Sequence, residues 1–248
     1  MNETIKTLMA HRSHRSYLDK DLDETALDMI IKAVQAAPSW INGQQVSIIA
    51  IRDPEQKRKF ADLCGGQKHI EEAPVFLVFC LDFYRAYLAS ELENTPFAVS
   101  GNIDTLMVGS TDVGIALGTA IAAAESLGLG TVAIGGIRRN LQETIRELNL
   151  PPYVFPVSGL CIGHPASDPG LKPRLPKQAV FHESTYNREL LPLIEEYNEV
   201  YANYVHERSK GKQSAKWTEG IANFYSREYY QGVGEALKKQ RFLKEDED

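Results

Sequence analysis

The run from Ile103 to Leu129 carries apolar or small residues on nearly every side of a helical wheel, and its only charged interruptions are Asp104, Asp112 and Glu125. A helix of that kind cannot face water all round. Residues 102–127 therefore predict one long helix that is buried on several sides, either as a central core helix or against a second subunit. The three acidic interruptions argue against a membrane span. The start, Met1 to Lys6, lacks a basic segment followed by an apolar one, so no signal peptide is expected. With 43% hydrophobic and 24% charged residues, the 248-residue chain has the composition of a soluble globular protein with a substantial core. Its formal net charge of −6 argues against nucleic acid as the main partner but leaves room for a local site for a small anion. Three cysteines without a C-x-x-C pair fit a reducing cytoplasm and small buried apolar roles.

The remaining pattern alternates. Helices are expected at 4–9, at 24–36 after Asp23, and from Pro54 after the N-cap Asp53, ending at Gly65-Gly66. Another is expected around Tyr84, Tyr87 and Leu88, then at 140–148, and two more near 190–206 and 217–229. Apolar runs at 46–51, 75–81, 131–134 and 154–162 predict four strands. The class is α/β or α+β with one sheet. The charged end 244–248 reads as a solvated terminus.

Four features could carry chemistry. His11, Arg12, His14 and Arg15 place up to four cations in five residues, with Ser13 as a hydroxyl donor among them. Guanidinium forks match phosphate oxygens. A second basic element, Lys172-Pro173-Arg174, is stiffened by its proline. Two such segments far apart in an acidic chain suggest one anion pocket, although each alone is also an ordinary solvated turn. Gly135-Gly136 follows a strand, where missing Cβ atoms let a flat ligand approach the backbone. The polar, uncharged residues Ser39, Asn42, Gln44, Gln45 and Gln67 could hydrogen-bond ring carbonyls and nitrogens. The G-x-G-x-x-A match at Gly128 is rejected as a dinucleotide fingerprint, because it leaves a helix and enters a strand, the reverse of the required order. No metal set is expected, since His11 and His14 lack a nearby Cys or carboxylate, and no nucleophile elbow occurs.

Several runs together resemble the NADPH-dependent nitroreductase/flavin reductase branch of the nitroreductase family. They are His11-Arg12-Ser13-His14-Arg15-Ser16-Tyr17, Ala36-Ala37-Pro38-Ser39, Gly65-Gly66-Gln67-Lys68-His69, Ala124-Glu125-Ser126-Leu127-Gly128-Leu129-Gly130, Ile134-Gly135-Gly136-Ile137-Arg138-Arg139-Asn140 and Leu171-Lys172-Pro173-Arg174-Leu175-Pro176. The resemblance implies an α+β fold with a central, mostly antiparallel sheet surrounded by helices. It implies a single domain over 1–248, with a helical C-terminal extension from about 188. It further implies a homodimer holding FMN non-covalently at the subunit interface, with His11, Arg15, Lys172 and Arg174 on the phosphate and Arg12 and Ser13 beside it. Ser39, Gln67, Gly135 and Gly136 would line the ring or ribityl chain, while Lys210, Lys212 and Lys216 would take the NADPH 2′-phosphate. The expected activity is ping-pong reduction of nitroaromatics, quinones or free flavin, with no protein acid–base residue because the flavin carries the chemistry. Trp40 departs from the branch's usual serine-rich run and bears on substrate range, while His14 departs from the apolar residue usual there and stays outside the binding set. The rival readings are a specialised flavin enzyme, for which 86–100 is the one candidate lid, and a flavin-storage or regulatory protein.

Overall fold

The computed structural model describes residues 1–244; the acidic end at 245–248 lies outside them. In chain order the elements are α1 (Glu3–Met9), α2 (Glu24–Gln35), β1 (Val46–Ile51), α3 (Pro54–Leu63), α4 (Lys68–Glu72), β2 (Val75–Asp82), α5 (Tyr84–Leu92), α6 (Ile103–Ser126), β3 (Gly130–Ile134), α7 (Leu141–Glu147), β4 (Val154–Gly163), α8 (Leu191–Arg208), α9 (Trp217–Tyr225) and α10 (Val233–Lys239). Short 3₁₀ turns occupy Trp40–Asn42, Gly135–Arg138 and Lys177–Ala179. The chain forms two compact units, one of Met1–Pro169 with the described residues from Tyr230 onward, the other of Gly170–Tyr229.

The first unit is built on a four-stranded sheet in the order β1-β2-β4-β3, with every neighbouring pair antiparallel. Every residue of β2 is buried. Val75, Leu77, Phe79 and Leu81 point into a core shared with α2 and α6, and Phe76, Val78 and Cys80 into a second core with Phe60 and Ile137. Covering both faces explains why an antiparallel strand reads as an unbroken apolar run, a pattern more usual in parallel sheets.

α6 starts at the N-cap Asn102, whose side chain accepts from the Asp104 amide. Its buried residues fall on a single stripe: Thr105, Gly109, Asp112 and Val113, then Ala116, Ala120 and Ala124. The helix is thus buried on one side of this chain, not on several. Small residues on the stripe allow close approach. A Cβ on Gly109 would stand 2.8 Å from the Phe83 ring and 3.0 Å from Leu81 Cβ. The opposite side leaves Ile103, Met107 and Ile115 exposed, together with Gly114 and Gly118. By length and composition α6 could cross a membrane. It instead packs on α2 and the strands and carries a buried carboxylate at mid-length, which lipid would penalise.

Phe97 packs edge-on against Tyr87 and Tyr153, with ring centroids 5.8 and 5.0 Å away. The C-terminal segment of the unit is integral to it. Phe242 is buried and meets Phe83 and Phe155 edge-on.

In the second unit, Tyr197 of α8 is buried, donates its hydroxyl to the Pro173 carbonyl at 2.7 Å and meets the Trp217 ring of α9 at 5.8 Å. Asn198 Oδ1 accepts from the Thr218 amide at the start of α9.

Removing the Phe242 ring should destabilise the first unit by about 3–5 kcal/mol, since a large aromatic cavity opens in a closed core. Urea denaturation of Phe242→Ala measures it, and a loss under about 1 kcal/mol would show that the C-terminal segment is peripheral.

Candidate functional site

The basic cluster is built onto the edge of β3. Ser13 forms a parallel bridge with Thr131, and the His14 amide donates to the Thr131 carbonyl at 2.8 Å. Tyr17 bridges Pro165 and donates its buried hydroxyl to the His14 carbonyl at 2.9 Å. Residues 13–17 are therefore held as an extra partial strand. The glycines beside β3 make this fit. Gly128 has φ +77° and turns the chain out of α6, while a Cβ on Gly130 would stand 2.8 Å from His14 Cγ. Both glycines are thus explained by a turn and a close approach, in line with the rejected fingerprint.

The cluster's side chains divide. His11 Nδ1 lies 2.7 Å from Glu125 Oε1, which also accepts from the Thr131 hydroxyl at 2.8 Å. Arg12 pairs with Asp168 at 2.5 Å, and His14 Nδ1 lies 3.2 Å from the Ser167 carbonyl, both turned toward the 165–168 loop. Arg15 is exposed and forms no hydrogen bond or ion pair with the described residues. It is close enough to His69 for its charge, after burial, to hold that imidazole below its usual pKa. His69, isolated in the sequence, thus belongs beside the cluster.

Gln67 precedes α4, and its amide donates to the Cys64 carbonyl at 2.9 Å. A Cβ on Gly136 would meet Gln67 Nε2 at 2.5 Å and the Cys64 carbonyl at 2.6 Å, so Gly136 is needed for packing. Gly135 differs. The nearest atom to its Cβ position is Arg138 Nη2 at 3.7 Å, which leaves its backbone open. Buried Lys57 went unnoticed in the sequence. Its ammonium donates to the Glu71 and Ala73 carbonyls at 3.0 and 2.6 Å and caps the end of α4, the helix that carries His69.

Ser39 lies elsewhere in the unit. Its hydroxyl accepts from the Gln44 amide at 3.1 Å, and the next amide, Trp40 N–H, donates to both Asp112 oxygens at 3.2 Å. Ile41, Asn42 and Gln44 all have positive φ. Arg85 secures this unfavourable backbone by donating to the Gln44 and Val46 carbonyls while paired with Asp82. Strained non-glycine turns persist only where their surroundings impose them. Pro38, Ser39 and Trp40 face Met107, Thr111 and Ile115 of α6 across a cavity of about 380 Å³. Gln45 is buried, so its side chain is not a loop donor.

In the second unit, Lys172, Arg174 and Lys216 line a cavity of about 400 Å³ walled by Tyr197, Tyr201 and Trp217. Lys172 also lines a neighbouring one of about 510 Å³ with Arg208 and Lys212. Arg208, unremarked in the sequence, supplies the guanidinium that the lysines lacked. Lys210 lines neither cavity and takes φ 53° at the turn after α8. Among the described residues no group of three His, Cys, Asp or Glu could hold a metal.

The matches to known proteins cover this whole arrangement. The nitroreductase family model matches residues 8–164, and the model of that family's C-terminal domain matches 172–245. The chain is 52% identical over 245 residues to an FMN reductase [NAD(P)H] of Bacillus subtilis, covering 98% of both. It is 38% identical over 240 residues to an oxygen-insensitive NADPH nitroreductase of Salmonella typhimurium, covering 97% of this chain and 98% of that one. Among solved structures, B. megaterium NfrA2 superposes with a TM-score of 0.97 at 48% identity, over 99% of this chain and 100% of that one. The NADPH:FMN oxidoreductase of Vibrio harveyi complexed with NAD+ gives 0.89 at 31%, over 98% and 100%.

The three thiols are buried, and burial pushes Cys64 and Cys80 up to about 12 and Cys161 in the same direction. They are not nucleophiles at neutral pH. In the unfolded chain they ionise from about pH 8.5, so that state binds fewer protons than the folded one and stability falls as pH rises from there toward 12. At pH 10 the loss should be about 1–2 kcal/mol per thiol. Urea melts of the parent chain at pH 8 and 10 should show it, and Cys64→Ala should flatten the decline; an equal decline would rule the thiol out as a source.

Proposed function

The chain belongs to the nitroreductase family, and on that premise we propose that it works as a homodimer, with FMN phosphate held at the basic cluster of residues 11–15. It is an FMN-dependent oxidoreductase that draws on NADPH and acts on small molecules. The observation that carries the phosphate reading is the anchored cluster itself. Its backbone is pinned to β3, His11 is steadied by Glu125, and Arg15 is left with an unengaged guanidinium. That donor set suits a phosphate dianion. Lys172 and Arg174 remain the candidates from the second unit.

Bound there, FMN supplies the redox chemistry, taking a hydride from NADPH and passing two electrons to a nitroaromatic, a quinone or free flavin. The protein's part is placement. The open backbone at Gly135 admits a flat ring, and Gln67, fixed between Cys64 and Gly136, keeps its amide oxygen for a ring donor. Arg208 and Lys212 are the residues we assign to the NADPH 2′-phosphate, with Lys210 and Lys216 secondary to them.

The long helix supports the dimer. Ser39 is tied to α6 through Asp112 and His11 through Glu125, thirteen residues along the helix. At 1.5 Å per residue these anchors are about 20 Å apart, and Ser39 lies beside the exposed Met107 and Ile115 on the outer face of α6. Ser39 therefore serves the flavin of the partner subunit, and the exposed Ile103, Met107 and Ile115 form the joining face. We assign the protein to the cytoplasm, in keeping with three unpaired thiols.

Purified protein should be yellow, bleach with NADPH under anaerobic conditions, and regain colour with nitrofurazone or menadione. Colour without bleaching would favour a flavin-storage protein. Arg15→Ala should weaken FMN retention by about 1.5–3 kcal/mol without lowering the melting temperature. Unchanged retention would refute the cradle. Met107→Glu with Ile115→Glu should yield monomers in sedimentation that also lose FMN; flavin-loaded monomers would refute the shared site.

A further inference from the structure

Glu125 sits in the last turn of α6, with its side chain 12% exposed. A carboxylate so far withdrawn from water needs donors. It has two, and both converge on the same oxygen: His11 Nδ1 at 2.7 Å and the Thr131 hydroxyl at 2.8 Å. Thr131 is fully buried, and its backbone also receives Ser13 and His14. One β3 residue thus fixes the cluster's main chain and, through Glu125, the plane of its first imidazole.

We infer that Glu125, seated by Thr131, is a positioning residue for the anion site: it accepts the Nδ1–H of His11, favours the doubly protonated ring between two anions, and so presents Nε2–H outward as a donor to phosphate. The inference rests on the phosphate reading given above. An imidazolium has a donor on each edge, and a carboxylate acceptor at one fixes the ring angle and stabilises its charge, so the other donor stays available in a set direction. Arg12 and His14 cannot share this role, since their side chains are turned to Asp168 and Ser167. Without Glu125 the ring could rotate or present a bare nitrogen to the anion, and the site would lose a donor while keeping its residues.

The test is a double-mutant cycle on FMN retention by the holoenzyme, read as the recovery of flavin fluorescence on dilution. Glu125→Ala and His11→Ala should each raise the FMN Kd about tenfold, and the two together also about tenfold, because they remove one and the same contact. Glu125→Gln, which restores an acceptor oxygen, should return the Kd to within about threefold of the parent. A hundredfold effect in the double variant, or an unchanged Kd in Glu125→Ala, would show that Glu125 merely supports the fold. Should Glu125→Ala not fold, the unaltered holoenzyme still decides: nitrogen-15 spectra should show both His11 ring nitrogens bearing protons, and a bare nitrogen at either position overturns the assignment. If His11→Ala and Arg15→Ala both retain FMN like the parent, the phosphate cradle itself fails. A weakened His11→Ala beside an unaffected Glu125→Ala removes only the positioning role.

Discussion

A carboxylate taken out of water has to find hydrogen-bond donors, and α6 carries two such groups that determine where the rest of the first unit goes. Asp112, 4% exposed, takes the Trp40 amide and so fastens the loop at 39–45. Glu125 takes His11 and Thr131 and so fastens the basic cluster to β3. Gly109, before them, and the alanines at 116, 120 and 124, between them, let the helix lie close to β2, which in turn is buried on both faces. The apolar core sets the depth of the helix, and the two acids set the positions of the polar segments along it. Two of the three acids that read in the sequence as interruptions of an apolar run are its attachment points.

Long, strongly patterned elements were legible. β1 and α3 fall where the apolar run and the Asp53-Pro54 start placed them, because an apolar β-branched run and a capped helix carry their own signals. α4 was not legible. Five residues make too weak a period to detect, and its end is capped by Lys57 from α3, a tertiary contact no local pattern reveals. α10 was absorbed into the tail. It begins after Gly232 in a left-handed conformation and owes its place to core residues such as Leu237. For α6 the sequence left two alternatives, a core helix or one against a second subunit, since an apolar helix surface looks the same whether its own chain or another molecule covers it.

The candidate site divides in the same way. Residue types alone drew attention to a basic, hydroxyl-bearing cluster. The sequence could not show that Arg12 is committed to Asp168 while Arg15 is unengaged, nor that Gly136 answers to Gln67 where Gly135 leaves the backbone open. Arg208 escaped notice because it lies in no patterned run, and His69 stood in a family-like run without a role; each gains meaning only from its neighbours, Arg15 for His69 and Lys172 with Lys212 for Arg208.

The attachment of Trp40 has a consequence for how such a site can change over time. α6 holds this residue by its backbone amide, while the indole is 59% exposed and has no hydrogen-bond partner among the described residues. Asp112 therefore recognises position 40 whatever side chain stands there, provided it is not proline. The wall of the cavity beside α6 can be exchanged without disturbing the strained loop that carries it. The contact that holds the loop is thus independent of the side chain at position 40, and a change there need not cost the anchor.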